Sequence, residues 1–278
     1  MLLGKSDSVI GHPPEYMAKV SKAHLEAYMP GDIETLMKSV SPNGGIWAGM
    51  APPHGATLLR SNDEIRSTYT DLLNAIQLGN TKIFVLIATD WYVFFESVAT
   101  VTDKASGTTL ENQSVGLFGA DDHALAVDMA WPFGIEPGAV RPSRDLGGRV
   151  RSELLDLTAH EQRISGLNSE NADLASTGII EESQLFLPCF DPADQRLELL
   201  VSGVSAYKDY LAALWAIYRI DTVVNLNMSI GDQYVFSEYL LKVTDRGSGN
   251  ALEIRYALVE ILAADGKVKG MLGYATQS

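Results

Sequence analysis

Residues 90–111 read "DWYVFFESVATVTDKASGTTLE", and residues 232–253 read "DQYVFSEYLLKVTDRGSGNALE". Laid side by side without a gap, they agree at Asp90/Asp232, Tyr92/Tyr234, Val93/Val235, Phe94/Phe236 and Glu96/Glu238. They agree again at Val101-Thr102-Asp103/Val243-Thr244-Asp245, Ser106-Gly107/Ser248-Gly249 and Leu110-Glu111/Leu252-Glu253. Twelve of 22 positions match across an offset of 142 residues. Solenoid repeats run roughly 20–50 residues, so this period belongs to a whole domain used twice. A chain of 278 residues suits two domains of ordinary size. The repeat divides it into a first domain over 1–142 and a second over 143–278. Between them "WPFGIEPGAVRPSRDLGGR", residues 131–149, carries three Pro and four Gly and reads as a linker or an ordered strap.

Bulk properties exclude several classes. Hydrophobic residues make up 46%, enough for two packed cores, and the net charge of −14 argues against a nucleic-acid backbone or an anionic membrane surface as partner. The single Cys189 cannot form an internal disulfide, and no Cys/His spacing resembles a zinc site. The start, "MLLGKSDSVIGHPPEY", has no apolar run suited to a signal peptide or a membrane span. The expectation is a cytoplasmic protein with no metal, no cofactor and no membrane partner.

Each unit is expected to open with helices. Tyr16, Val20, His24 and Tyr28 fall four apart along one face of the first. "MPGD" ends it, and Asp32 caps a second, short helix over 33–40; Asp173 in "SENADLASTGI" takes that role in the second unit. A third helix begins after Ser61, with "VSAYKDYLAALWAIYRI" as its counterpart. Alternating β-rich stretches follow at 81–89, 91–103, 108–119 and 124–131, and again at 223–230, 233–245, 250–262 and 267–274. "DKASG", "DRGSG" and "ADGK" are the turns. Three helices and a curved antiparallel sheet that wraps them make an α+β unit.

The stretches "AHLEAYMPGDIETLMKSVSPNGGIW" and "EIRYALVEILAADGKVKGML" resemble the opening and closing segments of nuclear transport factor 2-like (SnoaL-like, cystatin-like cone) domains. The resemblance covers both halves and implies two tandem cones. Such domains commonly pair through the outer face of the sheet, so it also implies a pseudo-twofold pair within one molecule or a homo-oligomer. It does not name a reaction, because isomerases, dehydratases, epoxide hydrolases, polyketide cyclases, diarylpropane lyases and binding modules share the fold.

Differences between the copies select the chemistry. Lys82 stands where the second copy has Val224, on an even-numbered face with Phe84, Leu86 and Ala88. It either lines a pocket, where burial lowers an amine's pKa, or sits at a strand end and reaches water. His24 is aligned with Ser165 and lies eight residues before Asp32, where the resemblance implies the oxyanion-hole tyrosine of ketosteroid isomerases. It is either an acid–base group or a core histidine bonded to a carbonyl. Tyr28 is a phenol donor or packing; Arg60, opposite Ser202, pairs with an anion or is solvated. Glu96 is a general acid or, being shared with Glu238, structural. The place where the resemblance implies the isomerase base holds Ala48, and "NQSVGLF" lacks the expected acid. No Gly-rich phosphate loop or nucleophile elbow is present.

The expectation that results is a first cone with His24, Tyr28, Arg60, Lys82 and Glu96 as catalytic candidates among Trp47, Phe84, Trp91, Tyr92 and Trp131. That set suits a cofactor-independent lyase of dehydration or deformylation type on an oxygenated aromatic small molecule, such as a lignin-derived diarylpropane. A non-catalytic small-molecule-binding module, or a cofactorless isomerase or polyketide cyclase, are the alternatives. The second cone is expected to be a structural partner.

Overall fold

The computed structural model describes residues 12–51, 55–133, 157–190, 198–231, 233–263 and 265–277. Most of the expected linker, the 142/143 boundary, Asp232 and the first residue of "ADGK" lie outside them. The described residues form two α+β units of the same design, consistent with two tandem cones.

In the first unit helix α1 (Pro14–Ala27) is followed by α2 (Ile33–Met37), the hairpin β1 (Ile46–Ala51) and β2 (Gly55–Leu59), and α3 (Asn62–Ala75). Strands β3 (Ile76–Ala88), β4 (Val93–Asp103), β5 (Thr109–Ala120) and β6 (Leu125–Phe133) then meander. The sheet order is β2-β1-β6-β5-β4-β3. It is antiparallel except that β6 returns to lie parallel to β1, so the sheet is mixed rather than purely antiparallel. Trp131, Pro132 and Phe133 belong to β6, not to the linker. β1 pairs with β6 only as far as Ala130, so Pro132 lies past that pairing, where its missing N–H breaks no bond to β1.

The second unit repeats the order with α4 (Thr158–Asn168), α5 (Ala172–Ala175), β7 (Ile179–Pro188), β8 (Glu198–Ser202) and α6 (Gly203–Ile217). Strands β9 (Tyr218–Ile230), β10 (Tyr234–Asp245), β11 (Ala251–Leu262) and β12 (Val268–Gln277) complete it. The matched turns are built alike. Asp103 Oδ1 accepts from Ser106 N at 2.6 Å, and Asp245 Oδ1 accepts from Ser248 N at 2.6 Å. Gly107 and Gly249 take the positive φ that closes each turn, 70° and 75°.

Strand register carries the repeat into three dimensions. Val93 lies opposite Phe118 and Ser97 opposite Ser114, whereas Val235 lies opposite Glu260 and Tyr239 opposite Tyr256. Each second pair is the first shifted by 142. Residues directly opposite share a face. Because Phe118 meets His24 of α1 with ring centroids 5.5 Å apart, the face bearing Val93, Phe95, Ser97, Ala99, Asn112, Ser114, Gly116 and Phe118 looks toward the helices.

Two sequence expectations fail on local geometry. A register shift between Ile83 and Val85 places one extra residue in β3. Lys82 therefore lies opposite Val98, while Leu86 lies opposite Phe95 on the other face. Simple alternation had put them together. The second failure concerns the caps. Asp32 does cap α2, accepting from Glu34 N at 3.0 Å, but the cap of α5 is Asn171, which accepts from Leu174 N at 3.0 Å. Asp173 sits inside the helix and pairs with Lys208. Counting back eight residues from the true caps aligns His24 with Arg163, not with Ser165.

The cap assignment predicts that Asn171→Ala lowers stability by about 1 kcal/mol, whereas Asp173→Ala changes it little. Urea denaturation of the two variants of the full chain measures the difference.

Candidate active site

The inner face of β6 carries Asp128, opposite Phe118 on β5 and Trp47 on β1. An aspartate in the apolar run "LAVDMAWPF" must find partners once buried, and three elements supply them. His24 on α1 places Nε2 3.1 Å from Asp128 Oδ2, and Tyr69 on α3 donates its hydroxyl to the same oxygen at 2.8 Å. His24 Nδ1 meets Ser39 Oγ at 2.7 Å. That hydroxyl donates to Leu36 O at 2.5 Å, so it must accept from the imidazole, which fixes a hydrogen on Nδ1. His24 has 0% exposure, and the Asp128 side chain keeps 7%. Among the described residues the hydrogen bonds of Asp128 all land on Oδ2, which leaves Oδ1 available.

Aromatic groups frame this dyad. The Tyr28 ring lies edge-on to His24 at 5.1 Å and to Tyr69 at 5.5 Å. Burial, followed by the Asp128 charge, pushes the Tyr28 phenol well above its ordinary range, against weaker opposing effects of Tyr69 and Trp47. The same two causes, burial first, raise Tyr69. Both are thus held as neutral donors near neutral pH. Trp47 packs with Ala27, Ile65 and Tyr69, and its buried Nε1–H lies near the Tyr28 phenol but makes no well-aligned hydrogen bond among the described residues.

Of the candidates named from sequence, the structure brings His24, Tyr28 and Trp47 together and separates the rest. Lys82 is exposed on the face opposite to His24, its Nζ 4.8 Å from the Phe84 ring. Phe84 is itself 39% exposed beside the β3 irregularity. Glu96 lies opposite Val115 on the outer face and accepts from Gln113 Nε2 at 2.6 Å. Phe94 and Trp131 share that outer face, with Trp131 opposite Val115. Arg60 is exposed ahead of α3, where its backbone N–H donates to Glu64 Oε2 within the capping box formed with Ser61. Trp91 and Tyr92 are fully buried against each other, ring centroids 4.8 Å apart, at the start of β4. Asp128 and Tyr69 were missed. The signal for Asp128 was an acid interrupting an apolar strand.

The second unit also has a buried cluster, so its helix has not lost its polar groups. Glu260 stands at the place of Phe118. Its Oε2 meets His160 Nδ1 at 2.8 Å and Arg163 Nη2 at 2.5 Å, and its Oε1 accepts from Arg163 Nε at 2.8 Å. His160 Nε2 faces the Tyr239 hydroxyl at 3.1 Å, and Arg163 Nη1 donates to Thr177 O at 2.6 Å. Burial alone would raise the Glu260 pKa, but the Arg163 and His160 contacts outweigh it and hold the carboxyl at about 2. Both Glu260 oxygens are occupied.

The interiors differ in the same sense. Ser97, Ala99, Asn112, Ser114 and Gly116 on the first sheet correspond to Tyr239, Leu241, Ile254, Tyr256 and Leu258 on the second. Those five large side chains all belong to the packed core of the second unit. The first cone has an interior wall of small and polar groups where the second is filled.

Among the described residues no group of three or more His, Cys, Asp or Glu is arranged to hold a metal ion, and no helix is long and apolar enough to cross a membrane. No family model matches the chain, and no curated protein matches it. Solved structures do. A ketosteroid isomerase-like protein from Erwinia carotovora atroseptica is 18% identical over 42% of this chain and 93% of its own, with a TM-score of 0.34. An NTF2-like protein from Burkholderia xenovorans is 14% identical over 44% and 93%, at 0.38. An LEH-like epoxide hydrolase from M. tuberculosis is 14% identical over 41% and 80%, at 0.35.

Breaking a buried ion pair from one side costs about 3–5 kcal/mol, so Glu260→Gln should destabilise the full chain by that order at neutral pH. The Glu260 pKa falls on folding, from 4.5 to about 2. Its contribution is therefore complete above 4.5 and is lost as pH falls toward 2. Denaturant titrations of wild type and variant across this window should converge at the acid end.

Proposed function

We propose that the first cone is a cofactor-independent acid–base site acting on an oxygenated aromatic small molecule by elimination, and that the second cone is a filled structural counterpart. The observation that carries this is the pair of carboxylates: Asp128 is held through one oxygen with the other available, whereas Glu260 is saturated. A carboxylate oriented by two donors on Oδ2 can present Oδ1 as a base at a fixed position. Tyr28 and the Trp47 N–H, both neutral donors, suit an oxygen on which negative charge develops.

In a dehydration, Asp128 Oδ1 removes a C–H proton, the C–O bond β to that carbon breaks, and the carboxyl returns a proton to the departing hydroxyl. Water and an alkene result. For a neighbouring carbinol the same base takes the O–H proton, the C–C bond breaks and its electron pair forms the alkene as the hydroxyl on the adjacent carbon departs, the carboxyl returns the proton to that hydroxyl, and formaldehyde and water leave. The imidazole of His24, held between Asp128 and Ser39, fixes the orientation of the carboxylate. Lys82, Arg60 and Glu96 have no place in these steps. The binding-module alternative shares the same chamber and differs only in turnover.

Screening metal-stripped protein against hydroxylated aromatics by absorbance is the direct test. Asp128→Asn should lower turnover by about 10²–10⁴-fold with an unchanged fold, and Lys82→Met should keep it near wild type. Saturable binding with no turnover of any such compound would favour the binding module. Full activity in Asp128→Asn would remove the assignment.

A further inference from the structure

Asn112 is 5% exposed and its Oδ1 is buried without a hydrogen-bond partner. Among the described residues the amide makes no hydrogen bond to another group. Leaving a buried polar group unsatisfied costs about 1–3 kcal/mol, and the second unit shows the economical alternative, since Ile254 stands at this position within its core. Asn112 faces the interior, because it lies opposite Ala99 two positions along from the Ser97/Ser114 pair on the helix-facing side. Opposed Cβ atoms on neighbouring strands are about 4.5–5.5 Å apart and diagonal ones somewhat more. The Asn112 amide and the Ser97 and Ser114 hydroxyls therefore converge on one small region of wall.

This region is distant from Asp128. Asp128 lies opposite Phe118, four residues along β5 from Ser114 and six from Asn112. At about 3.4 Å per residue the separation is about 14 to 20 Å. Between them lie two aromatic side chains: the Phe95 ring stacks on Phe118 at 4.6 Å, and a Cβ at Gly116 would fall 2.5 Å from the Phe95 ring.

We infer that Asn112, Ser97 and Ser114 form a recognition site for an uncharged hydroxyl on the far end of an elongated, two-ring ligand whose near end reaches Asp128. The inference rests on the reading of the first cone as the ligand chamber, and not on the elimination. Neither a cation nor an anion fits, because the three residues offer both donors and acceptors and no charge. A phenolic or aliphatic hydroxyl satisfies an amide oxygen and a serine together. The two aromatic side chains suit the ring that carries it.

The test is binding, which does not require turnover. Calorimetry should compare a stilbene bearing one para-hydroxyl on each ring with the stilbene bearing a single para-hydroxyl, so that only the second hydroxyl differs, for wild type, Asn112→Ile and Asn112→Ala. Wild type should bind the doubly hydroxylated compound about tenfold or more tightly than the singly hydroxylated one. Asn112→Ile, which installs the residue of the second unit, should abolish the preference, and Asn112→Ala should do so even if the larger side chain prevents folding. No preference in wild type, or a preference retained in Asn112→Ala, would overturn the inference. Asp128→Asn should keep the preference, so a failed lyase assignment would show in turnover alone.

Discussion

A carboxylate placed between a sheet and its helices must be neutralised or paired, and this constraint organises both halves of the chain. In the first, Asp128 draws His24 from α1 and Tyr69 from α3 onto one oxygen, tying two helices to β6. In the second, Glu260 comes from the neighbouring strand and draws His160 and Arg163, both from α4, in a fork that uses both oxygens. The architecture is common to the two. What differs is whether any acceptor is left over, and that is a chemical difference rather than a topological one.

The contents of each cone follow the same division. Tyr239, Tyr256 and their neighbours give the second unit a continuous apolar core with a buried ionic cluster at its edge. The first keeps an apolar cluster around Leu36, Ile65, Tyr69 and Leu73, and leaves small or polar groups farther along the sheet. Such a wall forgoes burial worth roughly 1.5–3 kcal/mol for each large side chain omitted. It also retains an amide with no partner. Structures hold features of this kind mainly where function requires them.

Much of the fold was legible from the repeat and from the turns it preserves, since Asp103-Ser106-Gly107 and Asp245-Ser248-Gly249 determine their own geometry. The return of β6 beside β1 was not legible, because a parallel contact between distant segments leaves no local pattern. The site was read less well. Alternation along β3 failed at a one-residue irregularity, which transposed Lys82 to the wrong face, and a cap misplaced by two residues hid Arg163 as the counterpart of His24. Aromatic residues were assigned to the chamber by type, although Trp131 faces outward and Phe84 is exposed beside the β3 irregularity. The most informative comparison was available in the sequence: reading odd positions of β4 against β10, and even positions of β5 against β11, sets Ser97 against Tyr239 and Asn112 against Ile254.

The shared register has a consequence for engineering. The five wall positions in each unit occupy the same places on strands that pair identically, so they behave as interchangeable sets of inserts in one frame. Exchanging Tyr239, Leu241, Ile254, Tyr256 and Leu258 for the smaller set would hollow a unit whose ionic clamp is independent of them except at Tyr239. The reverse exchange would plug the first. One backbone would then yield chains with two chambers, one or none, with the tolerated number set by how much packing each half can lose before it melts.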